Sequence, residues 1–193
     1  MMIKKLISIF TVLLTLFVTK GYSIEPGEKA KDFTIKNYDG ITYHLYDVKD
    51  VEAIVIMFWS TECPYVQPYT ERINQLASEY QKSKVVFWGI NSNNTESIDE
   101  VIEHKNKNGY VFPMLKDVNN VVADLFGATR TPEVFVLSKD YILLYHGRID
   151  DNRNASEVTQ QDLKNALDEI LAGKEVTTKI TKQFGCSIKR VEK

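Results

Sequence analysis

The chain has 193 residues, 44% of them hydrophobic and 26% charged, so one ordinary globular domain is expected. Its formal charge is −2 and no block of basic residues interrupts the acidic balance, which leaves nucleic-acid binding without an electrostatic footing. His44, His104 and His146 lack metal-ligand spacing, and neither a phosphate-cradling glycine loop nor a nucleophilic serine motif occurs, so no metal and no cofactor is expected.

The first segment stands apart from that domain. Lys4 and Lys5 precede an apolar run from Leu6 to Val18, followed by Thr19 to Ser23, the order of a secretory leader. The run falls short of the about 20 apolar residues that span a bilayer. A leader over 1–23, export to a periplasmic or secreted location, and a working domain over 24–193 are therefore expected in preference to a retained membrane anchor. Without Lys4, Lys5 and Lys20 the domain's charge is near −5.

Within the domain, Asp32–Ile35 and Ile41–Leu45 read as an N-terminal β-hairpin around Asn37-Tyr38-Asp39-Gly40. Ala53 to Trp59 is apolar at every position, which predicts a central strand covered on both faces. A helix is predicted from Pro64 to about Gln81, with Val66, Tyr69, Ile73, Leu76 and Tyr80 inward and a kink at Pro68. Val85–Ile90 is a second strand, and Asn91 to Asn94 is its loop. Ser97 and Glu100 form a capping box for a helix ending near Asn108-Gly109. A short helix, about Asn120 to Phe126, stops at Gly127. Glu133–Leu137 and Tyr141–Ile149 form an antiparallel hairpin, and Asp150-Asp151 reads as a solvated loop. Leu163, Ala166, Leu167, Ile170 and Leu171 share one face of a last helix ended by Gly173, and a tail containing Gly185-Cys186 follows. Strand–helix–strand crossovers followed by a hairpin and a helix specify an α/β fold of thioredoxin-like order, a mixed central sheet with helices on both faces.

Cys63 and Cys186 are the two cysteines. Cys63 falls at a strand-to-helix junction, where unpaired backbone N–H groups and the helix dipole favour a thiolate, although the neighbouring Glu62 opposes it. Val66 stands where a Cys-x-x-Cys motif has its second thiol, so a local dithiol is excluded and an intramolecular partner for Cys63 has to be Cys186. Two uses of the pair are open. In one, Cys63 attacks a peroxide or a protein disulfide, Cys186 resolves the oxidised form, and an external thiol reductant restores the pair. In the other, the pair is a static disulfide in a non-catalytic binding or structural module. A cis bond at Thr131-Pro132 would turn the backbone of Thr131 toward Cys63, where it would bind a substrate chain.

Five stretches carry a resemblance: Phe58 to Val66 with Cys63-Pro64-Tyr65-Val66, Ile90-Asn91-Ser92-Asn93, Thr131-Pro132, Tyr145 to Asp151, and Gly185-Cys186-Ser187-Ile188-Lys189. In this order, from Pro26 to Arg190, they resemble the peroxiredoxin-like (redoxin) branch of the thioredoxin superfamily, related to alkyl hydroperoxide reductase and thiol-specific antioxidant proteins. The resemblance implies a thiol oxidoreductase with Cys63 as the attacking cysteine, Pro132 as the cis-proline and Cys186 as the partner thiol. Peroxiredoxins carry a threonine three residues before the attacking cysteine. Here Ser60 keeps that hydroxyl and, with Thr131 and Pro132, is an expected substrate contact. Their active-site arginine has no clear counterpart: Arg130 is the nearest candidate, and Arg72 and Arg148 read equally as surface or structural residues.

Overall fold

The computed structural model describes residues 23–192, so the expected leader lies outside the described residues. Among the described residues no helix is long and apolar enough to cross a membrane.

A strand without a polar face has to be covered on both sides, and Ala53–Phe58 (β3) is buried at all six positions. It follows the hairpin β1 (Thr34–Lys36) and β2 (Thr42–His44). Helix α1 (Thr70–Gln81) leads to β4 (Val85–Asn91), and α2 (Ile98–Asn108) leads to β5 (Met114–Lys116). Then come α3 (Val121–Phe126), the two-residue β6 (Arg130–Thr131), β7 (Glu133–Ser138) and β8 (Leu143–Gly147). Helix α4 (Asp162–Leu171) and a second two-residue strand, β9 (Cys186–Ser187), complete the order. The five-stranded sheet runs β5-β4-β3-β7-β8. Strand β3 is parallel to β4 and antiparallel to β7, so the sheet is mixed.

The two faces of β3 collect separate cores. Val55, Met57 and Trp59 pack with Ile73 and Ala77 of α1, Val101 of α2, and Leu163 and Leu167 of α4. Ile54, Ile56 and Phe58 pack with Val122 and Phe126 of α3 and with Ile35 and Leu45 beside the hairpin. This is the expected thioredoxin-like arrangement with helices on both faces and an N-terminal hairpin.

Three local expectations change. The predicted helix does not run from Pro64. Tight turns carry the chain instead, Val66 N–H to Cys63 O and Tyr69 N–H to Val66 O, each 2.9 Å, with a 3₁₀ turn over Gln67–Tyr69. Pro68 has no N–H to give the carbonyl of Pro64, so it delays the α-helix to Thr70 rather than kinking it. Leu76 is only partly buried, and Ala77 takes the inward place. Strand β5 is an additional element, three residues that carry no periodicity in the sequence.

The capping box of α2 forms as expected, with Gly109 at φ 59° ending the helix. Helix α3 is capped from further back: the buried Asp117 carboxylate accepts the N–H of Val122 at 3.0 Å and of Ala123 at 3.0 Å, and the Ser92 hydroxyl at 2.7 Å. Asp117→Ala is expected to lower the unfolding free energy by about 2–3 kcal/mol, because two helix donors and a buried hydroxyl lose a charged acceptor. Urea unfolding measures this, with a smaller loss expected for Asp117→Asn.

Candidate active site

The chain leaves β3 at a fixed point. Trp59 N–H donates to Ile90 O at 2.9 Å, and its indole N–H donates to the Tyr110 hydroxyl at 3.0 Å. Ser60 then turns the backbone. Its hydroxyl accepts the N–H of Glu62 at 3.2 Å and of Cys63 at 3.0 Å, as an N-cap does, and donates its one proton to Glu96 Oε1 at 2.5 Å. Ser60 is thus joined to Cys63 through the backbone.

Glu96 is a site residue that the sequence did not single out. It is 3% exposed, and burial of a carboxylate is tolerable only when donors surround it. Besides Ser60 it accepts the Thr61 N–H at 2.7 Å, the Thr61 hydroxyl at 2.8 Å, Asn91 Nδ2 at 2.5 Å and Asn93 Nδ2 at 2.8 Å. Lys116 Nζ closes the cluster on Asn91 Oδ1 at 2.8 Å and the carbonyls of Asn93 at 2.7 Å and Glu96 at 2.5 Å. Burial pulls the Lys116 pKa down, against the attraction of Glu96 and Asp117. An acidic residue in an asparagine-rich loop looks solvated in sequence, so no local signal pointed to this network.

Cys63 is 2% exposed, and its Sγ lies 3.2 Å from the carbonyl oxygen of Thr131. The Thr131-Pro132 bond is cis, and both residues are buried. Glu133, the next residue, shapes this corner: its Oε2 accepts the N–H groups of Thr129 and Arg130, both at 2.8 Å. The tail arrives on the other side. Strand β9 pairs antiparallel with β6, placing Cys186 opposite Thr131. Both cysteines are free thiols. Cys186 is within hydrogen-bonding reach of the Cys63 sulfur and accepts the N–H of Tyr65; burial, together with Cys63, pushes the Cys186 thiol up to about 11. The fold therefore gathers Cys63, Cys186, Thr131 and Pro132 at one point.

The N–H groups near this point belong to the turns before α1, and the helix itself begins seven residues after Cys63. Glu62 is exposed. Each of the three arginines already has partners of its own. Arg72 pairs with Asp150 and donates to the carbonyls of Asn152 at 3.0 Å and Arg153 at 2.6 Å. Arg148 Nε donates to Asp162 at 2.7 Å, and Arg130 Nη1 to the carbonyl of Gly185 at 3.0 Å. Asp150, read in the sequence as solvated, is buried, held by Arg72 and by the Tyr69 hydroxyl at 3.1 Å.

Comparison with known proteins agrees with this fold. The model of the AhpC/TSA family matches residues 26–150. A hypothetical protein from Sinorhizobium meliloti has a similar structure, with a TM-score of 0.83 and 35% identity over 89% of this chain and 98% of its own. The chain is 23% identical over 155 residues to the thiol-disulfide oxidoreductase ResA of Geobacillus thermodenitrificans, covering 80% of this chain and 83% of that protein. It shares its fold with peroxidoxin BcpB of Mycobacterium tuberculosis, at a TM-score of 0.57 and 18% identity over 77% of this chain and 95% of that one. With its cysteine at the end of the central strand, facing a cis-proline, the chain belongs to the AhpC/TSA (redoxin) family of thiol oxidoreductases.

Proposed function

We propose that this chain is an exported thiol–disulfide oxidoreductase in which Cys63 attacks and Cys186 resolves. The observation that carries the reading is the meeting of the Cys63 and Cys186 thiols beside the Thr131 carbonyl. Residues 1–23 carry the export part, through their charge and hydropathy order. The Cys63 thiolate attacks a substrate disulfide; one sulfur leaves as a thiolate and the other stays in a mixed disulfide with Cys63. The Cys186 thiolate then attacks the Cys63 sulfur, releasing the second substrate thiol and leaving a Cys63–Cys186 disulfide. The substrate gains two electrons, and an external thiol reductant returns them to the pair. A disulfide substrate is favoured over a peroxide because Arg72 and Arg148 donate away from Cys63, Arg130 is held by the Gly185 carbonyl and the Ser60 proton is committed to Glu96.

The reading is tested with the reduced chain and oxidised glutathione or hydrogen peroxide at equal concentration. Wild type is expected to form the intramolecular disulfide, Cys63→Ser to lose the reaction, and Cys186→Ser to stop at a mixed disulfide with glutathione. Faster trapping of a Cys63 sulfenic acid by dimedone in Cys186→Ser would reverse the preference toward peroxide. A Cys63–Cys186 disulfide with a potential well below about −300 mV would mark a static staple instead.

The position of Cys186 gives a pH expectation. Alkylation requires the thiolate, so Cys186 in the reduced wild type is expected to react with iodoacetamide along a profile centred near pH 11. In Cys63→Ala the hydrogen bond and charge of Cys63 are gone, and the midpoint is expected to move down. Mass-mapped alkylation rates read it, and an unmoved profile contradicts it.

Glu96 acts as a positioning residue. Glu96→Gln puts an amide donor against existing donors and is expected to cost about 1–3 kcal/mol in equilibrium unfolding. It is also expected to slow mixed-disulfide formation at Cys63 without moving the Cys186 alkylation profile.

A further inference from the structure

The chain has five arginines, and they divide by partner. Arg72, Arg148 and Arg190 each pair with an aspartate, Asp150, Asp162 and Asp124 in turn. Arg130 and Arg153 are exposed, and their guanidinium groups pair with no carboxylate among the described residues. Both flank the cysteine pair. Arg130 precedes Thr131, the residue opposite Cys186, and its Nη1 donates to the Gly185 carbonyl. The Arg153 guanidinium lies 5.2 Å from the centre of the Tyr65 ring, and the Tyr65 N–H reaches the Cys186 sulfur. Lys189, also exposed, adds a third positive charge that acts on Cys186. Against these stands Glu62, exposed beside Cys63. A domain that is acidic as a whole thus gathers unpaired cations around its thiols.

The place of Arg153 is built from inside the molecule. The Arg72–Asp150 pair takes no part in the redox cycle, yet its side chains are only 21% and 6% exposed. A buried ion pair is weak support for stability by itself, and this one fixes a loop. Arg72 donates to the carbonyls of Asn152 at 3.0 Å and Arg153 at 2.6 Å. Asp150 Oδ1 accepts the Asn152 N–H at 3.2 Å and the Tyr69 hydroxyl at 3.1 Å. The Tyr69 ring lies against the same guanidinium, 4.2 Å from its centre. The backbone that carries Arg153 is therefore held by buried charge, while its side chain lies on Tyr65 at the surface.

We propose that Arg153 and Arg130 are specificity residues that select disulfides flanked by carboxylates, with Arg72 as the residue that positions Arg153. The inference rests on the thiol–disulfide reading and adds the charge of the substrate to it. A guanidinium presents paired N–H donors that match a carboxylate. Cations clustered at a site also raise the encounter rate of an anionic ligand, and Lys189 strengthens the same field. A disulfide flanked by amines meets repulsion from all three charges. The chemistry is that of the proposed cycle. The Cys63 thiolate attacks one sulfur of the anionic disulfide, the other sulfur leaves as a thiolate, and the new bond is the mixed disulfide that Cys186 resolves.

The test times mixed-disulfide formation at Cys63 in the full chain carrying Cys186→Ser, the parent for every variant. Three probes differ in charge: glutathione disulfide is anionic, hydroxyethyl disulfide neutral and cystamine cationic. Each variant is read as its rate with a charged probe divided by its rate with the neutral one, and compared with the same ratio in the parent. That comparison cancels the intrinsic reactivity of probe and sulfur. Combining Arg130→Gln with Arg153→Gln is expected to lower the glutathione ratio by about tenfold and to raise the cystamine ratio. Added salt is expected to lower the glutathione ratio of the parent and to do much less in the double variant. Arg72→Lys keeps the charge but loses the fork that grips both loop carbonyls, so it is expected to lower the glutathione ratio as Arg153→Gln alone does. Circular dichroism checks that it is folded, the two exposed arginine variants stand without it, and an unmoved ratio in a folded Arg72→Lys would overturn the positioning role. Disulfide-linked dimers of a short peptide, with glutamates or lysines around its cysteine, form the polypeptide arm. A glutamate preference that the double variant loses assigns the charge to a polypeptide substrate, and a preference confined to glutathione assigns it to a small one; each supports selection by charge. Ratios that stay unmoved in the double variant, or fall alike for glutathione and cystamine, would overturn it and leave the redox reading intact. Failure of Cys63 to react with any probe in any background would overturn both.

Discussion

A carboxylate taken out of water has to be met by donors, and the donors that meet Glu96 come from the ends of adjacent strands. Ser60 and Thr61 follow β3, and Asn91 ends β4 with Asn93 just beyond it, while Lys116 of β5 closes the cluster from the third strand. One buried charge thus ties together the carboxyl ends of the three parallel strands. Ligand crevices of α/β sheets lie outside those ends, and the Ser60 hydroxyl that donates to Glu96 also accepts the N–H of Cys63. The position of the sulfur is therefore fixed by electrostatics two residues removed from any redox chemistry.

A second anchor works from the opposite side. Glu133 holds the loop before the cis-proline by two backbone N–H groups, and its Oε1 pairs with His146 Nε2 at 2.7 Å. Gln183 of the tail reaches the same imidazole at 2.7 Å. The Cys63 loop and the Thr131 corner are thus each organised by a buried glutamate, and the tail bridges from one to the other. Lys189 continues the strap, its N–H donating to Asn93 Oδ1 at 2.8 Å, beside the Glu96 cluster.

What could be read from the sequence follows from how local each signal is. The apolar run 53–59, the Ser97–Glu100 box and the Leu163–Leu171 stripe each report their own neighbourhood, and all three appear where their patterns put them. Cys63 and Cys186 stood out by chemistry, since no other thiol exists in the chain. The missing parts are those that depend on distant partners. Asp150 is buried because Arg72, 78 positions away, neutralises it. Glu96 is buried because two strand ends supply amides and hydroxyls. The β6–β9 pair is two residues long on each side and separated by more than 50 positions, so no periodicity announces it. At Pro68 one missing N–H postpones the helix rather than bending it, an outcome decided by the turn before it and not by the proline alone.

The proton on Cys186 sets an order of events. While Cys63 is reduced, burial and the neighbouring Cys63 sulfur keep the Cys186 thiol protonated at neutral pH. In a mixed disulfide the Cys63 sulfur has no S–H, so its part in holding the Cys186 proton is withdrawn, whereas the Tyr65 N–H and Lys189 both favour the Cys186 thiolate. Oxidation of the first sulfur thus arms the second. In the proposed cycle the resolving thiol is thus held back from outside disulfides until an intermediate exists for it to resolve.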